Sequence, residues 1–213
     1  MSYTTEKRLL LAIVLIVFVV LGISPKADRL TWLLENSPVL LGLAVLAVTE
    51  RYVTFSRLVY RVMCLHAIIL MVGGHWTYAK VPLGDWVRDA FGLARNHYDR
   101  LGHFAQGFLP AIIVREALLR FSPLRPGGWL FFLTVSVCLA LSAFYEFIEW
   151  WISLVTGEAG TAFLGTQGDI WDTQWDMFLC MCGAILSLLL LSRWHDRSMR
   201  ETVDPRGASG ARP

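Results

Sequence analysis

The chain has 213 residues, 55% of them hydrophobic and 17% charged, with a mean hydropathy of +0.52. Soluble domains carry about 45–50% apolar and about 25% charged residues, so this composition excludes a disordered chain and a coiled coil. With 19 Lys and Arg against 17 Asp and Glu, the net charge of +2 also excludes a basic surface for nucleic acid.

A hydrocarbon core about 30 Å thick is crossed by about 20 mostly apolar residues in a helix. Six segments meet that need, at about 9–24, 30–48, 56–74, 101–119, 128–154 and 171–192. The first follows Lys7-Arg8 and is stopped by Pro25. No small-x-small cleavage site comes after it, so it reads as an uncleaved anchor and not as a signal peptide. Glu35, Asn36 and Pro38 interrupt the second near its start, and the third contains Arg61 and His66. Between the third and fourth, Gly84–Arg95 puts Trp86, Val87, Ala90, Leu93 and Ala94 on one stripe, which predicts a short helix in the outer headgroup layer. The sequence therefore predicts an all-α polytopic bundle, with residues 1–200 as one membrane domain and 201–213 as a flexible cytoplasmic tail. Neither an internal repeat nor a Gly- or Pro-broken helix pair is discernible.

Cytoplasmic ends are enriched in Lys and Arg. With both termini inside, thirteen of these residues fall on the inner side and six on the outer, which favours that orientation and agrees with an even number of spans. Most of the nine tryptophans fall at span ends, as an interfacial belt requires. Cys64, Cys138, Cys180 and Cys182 all lie inside predicted spans without a CxxC pair, and read as small core residues.

Ionisable residues inside a membrane usually face a cavity, a partner or an ion. Here they gather at the outer ends of the third to sixth spans. His75 and Tyr78 follow the third; Asp99, Arg100 and His103 enter the fourth; Glu146 and Glu149 leave the fifth; Asp169, Asp172 and Asp176 enter the sixth. Asp99 and His103 are four apart, about 40° round a helix, and Glu146 and Glu149 are three apart, about 60°. Gly73, Gly74, Gly107 and Gly183 allow close helix approach. From Pro126 to Ser192, 67 residues hold six acids and no Lys or Arg. Either some of these carboxylates hold a proton or a cation sits among them. Oxygen and imidazole donors together suit a divalent metal such as Zn, Mn or Mg, with His103, Glu146, Glu149, Asp169, Asp172 and Asp176 as ligand candidates.

Simpler roles compete. Asp169 and Asp172 also suit a helix N-terminus, Glu149 a solvated interface beside Trp150 and Trp151, and His75 a loop. His103 with Asp99 could form a purely structural pair. His66 reads as a satisfied core histidine, and His97 and His195 as surface residues.

Three segments, Gly73–Gly84, Arg95–Phe104 and Gly165–Met177, together with Tyr145-Glu146-Phe147-Ile148-Glu149-Trp150-Trp151, closely resemble the YjdF-type bacterial inner-membrane proteins. The likeness covers almost the whole chain and implies a multi-pass protein of the bacterial inner (plasma) membrane, in a family without an assigned reaction. More distantly, Asp99-Arg100-x-x-His103-Phe104, Glu146-x-x-Glu149 and Asp169-x-x-Asp172 are similar to the VanZ-like pattern. That pattern has Lys, Gln and an added Arg where this chain has Arg100, Glu149 and no base before Asp169.

Three functions fit. The first is a metal-dependent enzyme acting on a lipid or envelope precursor, with Asp99, His103, Glu146 and Glu149 in acid/base or metal roles and Arg100, His75 and Tyr78 binding substrate. The second is a non-catalytic factor that recognises a lipid or a partner. The third is an ion-coupled transporter, for which six helices are few unless a homodimer completes the path. The expected surroundings are the lipid bilayer in every case.

Overall fold

Apolar runs without internal ladder breakers form long helices here, and proline shortens the others. The computed structural model describes residues 1–156 and 167–202, and these form helices and turns without a strand. In chain order they are α1 (Tyr3–Ile23), α2 (Arg29–Glu35), α3 (Ser37–Thr49), α4 (Arg57–Trp76), a 3₁₀ turn (Tyr78–Lys80), α5 (Pro82–Phe91), α6 (Tyr98–Phe108), α7 (Pro110–Phe121), α8 (Gly128–Thr156) and α9 (Asp172–Glu201). The predicted tail lies, from residue 203 onwards, outside the described residues.

Two expected spans are not single helices. The second is split into α2 and α3, bent by 47° at Asn36 just before Pro38. The fourth is split into α6 and α7 at Leu109, just before Pro110. Proline lacks the N–H that the helical ladder needs, and its ring crowds the carbonyl one turn back. The expectation of no broken helix pair is therefore corrected. The interfacial helix is shorter than expected: Gly92, at φ 62°, ends α5 in the left-handed region, so Leu93 and Ala94 lie beyond it. Leu83, Trp86 and Phe91 of α5 are exposed. At the other extreme, α9 runs nine residues past the expected end at Ser192.

By length and composition α4, α8 and α9 can cross a membrane, and the bent pair α2–α3 makes a fourth candidate. Their outer surfaces stay apolar: Leu41, Val45, Phe132, Phe144, Leu189 and Leu190 are all exposed, as is Val19 of α1. A helix that is apolar all round belongs in a membrane or a deep core. Among the described residues, buried apolar side chains form three clusters. One joins Leu58, Val59 and Val62 of α4 to Ala105, Leu109 and Ile112. Another joins Val14, Val39, Cys64 and Met71 across α1, α3 and α4. The third joins Ala111, Cys138, Cys180 and Ala184 across α7, α8 and α9.

A polar clamp closes the end of the bundle where α4 begins and α9 ends. Glu116 of α7 accepts from the Ser56 backbone N–H at 2.8 Å and from Arg120 Nε at 2.8 Å. Its other oxygen lies 2.9 Å from His195 Nε2. His195 Nδ1 faces Arg115 Nη1 at 2.8 Å, and since a guanidinium only donates, Nδ1 accepts and Nε2–H donates to Glu116. Arg115 also pairs with Asp196 at 2.7 Å. His195, expected at the surface, is wholly buried. The reason is the extra length of α9, which carries it back along α7.

Candidate functional site

Two glycines position the site. A Cβ on Gly107 of α6 would overlap the Cys180 carbonyl of α9, and a Cβ on Gly183 would overlap the Phe104 carbonyl. The two helices thus cross at backbone contact, the close approach that small residues permit. Near this crossing α6 carries Asp99 and His103, one turn apart, and α9 carries Asp172 and Asp176 in its first two turns. Glu146 and Glu149 come from the second half of α8.

His103 stands at the centre. Its Nε2 is 3.6 Å from Asp99 Oδ1 and 3.9 Å from Asp176 Oδ2, and its Nδ1 is 3.9 Å from Glu146 Oε1. None of these separations is a hydrogen bond. One donor atom from each of Asp99, His103 and Asp176 falls within 4.8 Å of the others, and all three residues are buried. His103 Nδ1, Glu146 Oε1 and Asp176 Oδ1 are buried without a hydrogen-bond partner. Buried polar atoms are normally paired, so these three, on the two sides of one imidazole, mark an unsatisfied polar cluster. Donors about 2.0–2.2 Å from one metal ion stand about 3–3.5 Å apart. Here the separations from His103 are 3.6 and 3.9 Å, and the three atoms lie within 4.8 Å of one another, a wider spacing than that. Zinc or manganese suits two carboxylates and an imidazole; magnesium prefers oxygen throughout. Glu146 lies on the far side of the imidazole, beside Nδ1.

Beside this cluster lies a cavity of about 190 Å³, with Glu35, Tyr78, Asp99, His103, Tyr145 and Glu149 on its walls. Pro38 and Pro110, the two prolines at the helix interruptions, also line it. Among the described residues no Lys or Arg contributes to the lining. The nearby guanidiniums are committed elsewhere. Arg95 Nη1 is 2.6 Å from Asp172 and 3.6 Å from Asp169, while Arg100 Nη2 is 2.5 Å from Asp169 and the group stacks 5.2 Å from the Trp175 ring centre. Asp169 and Asp172 therefore form an ion-paired rim. Asp169 also accepts from the Trp171 N–H at 2.9 Å, a local cap, whereas α9 itself has no side-chain cap.

Asn96 fastens this rim. Its amide donates to Val81 O and to Asp85, both at 3.0 Å, and its Oδ1 accepts from the Tyr98 N–H at 3.0 Å. Gln167 pairs with its backbone on both sides, at 3.2 and 2.9 Å. His97, beside it, is partly buried, and burial, then Arg100 and Arg95, holds its imidazole below the usual value.

The structure thus brings Asp99, His103, Glu146 and Asp176 together, sets Glu149 and Tyr78 on the adjoining cavity wall, and leaves Arg100, Asp169 and Asp172 at the rim. His75 stands apart. Its Nδ1 faces Leu21 O at 2.8 Å, and its carbonyl accepts from the Lys26 and Ala27 N–H groups at 2.8 and 3.0 Å. That arrangement ties the end of α4 to the α1–α2 turn. Glu35, Tyr145 and His66 also line the cavity although the polar-cluster reading omits them. His66 Nε2 is buried without a partner, so it is not the satisfied core histidine expected. The sequence signal for Glu35 was an acid immediately before Asn36-Ser37-Pro38 inside an apolar run, which marks a helix break facing the interior.

Comparison with known proteins places these features in a family. A family model described as "Predicted membrane protein (DUF2238)" matches residues 6–197. The chain is 48% identical over 185 residues to a protein named "Inner membrane protein YjdF" from Escherichia coli (strain K12), covering 87% of this chain and 88% of that one. The more distant VanZ-like resemblance finds no support in these comparisons. No solved structure matches.

Proposed function

The chain belongs to the DUF2238 family of predicted membrane proteins, and from that premise we propose a divalent-metal centre in the bacterial inner membrane that serves acid/base chemistry on a lipid or envelope precursor. In this reading the chain crosses six times with both termini in the cytoplasm, α1 and the interrupted α6–α7 being the remaining crossings, and the centre opens to the outer leaflet. Asp99, His103 and Asp176 hold the ion, Glu146 orients His103, and Glu149 moves protons on the cavity side. A metal would supply charge stabilisation and an activated water, the usual contributions of such an ion. Arg95 and Arg100 keep the rim closed over α9.

The observation that carries this reading is the convergence of three buried donors with three unpartnered polar atoms around one imidazole. Elemental analysis of the detergent-purified chain tests it. One equivalent of zinc or manganese is expected, and His103→Ala and Asp176→Asn should each lose it while remaining folded. Wild-type protein without stoichiometric metal, even after loading with either ion, would overturn the proposal.

A second reading, an ion-coupled permease, is favoured by one observation. The cavity lies between two proline-interrupted helix pairs, as ion and substrate sites of transporters often do. Proteoliposomes loaded with a metal-sensitive dye decide it: flux no faster than in protein-free vesicles excludes transport of that ion.

A further inference from the structure

A second cavity, of about 420 Å³, runs between α1, α3 and α4. Leu10, Val14, Val39, Leu43, Met63 and Ala67 give it an apolar wall. It shares Pro38, His66 and Leu70 with the acidic cavity, so the two spaces meet at the α2–α3 break. Along α4 its lining extends from Leu70 to Tyr60, about 15 Å at 1.5 Å per residue. That is roughly half of a 30 Å hydrocarbon core, the reach of one leaflet.

The two spaces differ in chemistry. The upper one presents Glu35, Asp99 and Glu149 with the rings of Tyr78 and Tyr145, and no Lys or Arg among the described residues. Glu35 is only 4% exposed, and its Oε2 has no hydrogen-bond partner. Carboxylates beside aromatic faces attract a cation and repel an anion. A buried, unpartnered carboxylate oxygen also requires a donor. The lower space is apolar along its middle, where it suits a hydrocarbon chain, and carries Lys7, Arg8 and Glu50 only at the end where α1 begins, Lys7 and Glu50 being ion-paired there.

We propose that the joined cavities bind a single-chain amphiphile with an amine-bearing head, the head against Glu35 and Glu149 and the tail in the trough between α1, α3 and α4. This rests on the acidic cavity being the reacting end, and it names the substrate class for that site. A phosphate head is disfavoured at the acidic end, where it would meet carboxylates and no base among the described residues; Lys7 and Arg8 lie at the opposite end of the trough.

Gly42 provides a probe of the tail. It lines the trough, and nothing lies within 4 Å of where its Cβ would stand, so a larger side chain enters the space without striking backbone. The full chain in dodecylmaltoside is titrated with hexadecylamine and with hexadecyl phosphate, and one-to-one retention is read by native mass spectrometry. Zinc binding is measured on the same samples. The amine should be retained at least tenfold more tightly than the phosphate. Gly42→Phe should weaken amine retention tenfold or more with zinc binding unchanged, and Glu35→Gln should narrow the preference for amine over phosphate. Equal retention of both amphiphiles, or wild-type amine retention by Gly42→Phe, overturns the proposal. If Gly42→Phe fails to fold, Gly42→Leu is judged by the same criterion. Zinc binding without amine retention sinks this inference alone, and amine retention without zinc binding sinks only the metal centre.

Discussion

Gly107 of α6 lies against the carbonyl of Cys180 of α9, with no room for a methyl group between them. Backbone meets backbone there, and the contact sets how near Asp99 and His103 come to Asp176. A large side chain at this point must drive the helices apart. Gly107→Leu should destabilise the fold by about 1–3 kcal/mol or more, as overpacking does, and should abolish metal retention. Thermal unfolding and elemental analysis check the two effects together. Metal retained at wild-type level would show that the crossing does not set the site.

The donors around His103 should rank by position. Glu146→Gln removes the carboxylate behind the imidazole and should weaken metal affinity about 10–100-fold. Asp176→Asn removes a ligand and should cost more. Asp169→Asn, whose carboxylate is held at the rim by Arg95 and Arg100, should cost least. Competition titration with a chelating dye measures all three. An Asp169 variant as damaging as the Asp176 variant would move the centre to the rim.

At the far end, Glu116 and His195 are both wholly buried and hydrogen-bonded to each other. Removing one partner of such a pair leaves buried polar groups unpaired and typically costs about 1–3 kcal/mol, more where the stranded group is charged. Glu116→Ala should lower the unfolding temperature markedly and leave metal stoichiometry intact. Replacing Glu116, His195 and Arg115 together by apolar residues of similar size should cost less than the single change. A triple variant at least as unstable as Glu116→Ala would refute this account of the clamp.

Asp28 precedes α2 and accepts from the Leu30 and Thr31 N–H groups at 3.0 Å each. Hydrogen bonds from Thr31, aided by Leu30, hold its carboxyl below the ordinary value. With the folded value depressed, the stabilisation is complete above the unfolded value, about 3.9, and fades as pH falls through the folded one. Asp28→Ala should cost about 1 kcal/mol near neutrality, and the gap to wild type should close on acidification below about pH 4. Unfolding curves at several pH values read this directly. A gap that widens on acidification would contradict it.

Much of the fold was legible because membrane helices announce themselves by length and apolarity. The α4, α8 and α9 segments stand out in this way. The breaks at Pro38 and Pro110 were present in the letters but masked by long apolar surroundings, since a proline can end a helix, kink it or sit in its first turn. The acids and imidazoles shared helical faces, and that periodicity drew attention to Asp99, His103, Glu146 and Asp176. Glu35 and His66 escaped it because neither has another acid or imidazole three or four residues away on its own helix.

The sequence by itself determined an all-helical membrane chain, the glycines that allow close approach, and which acid on each helix shares a face with another. Composition and helical period are local properties, so they can be read one segment at a time. Only the tertiary structure decided that Asp172 turns to Arg95 while Asp176, one turn deeper, turns to His103, and that His195 is buried on Glu116. Those outcomes depend on the angle and depth at which separate helices cross, and no single segment encodes either.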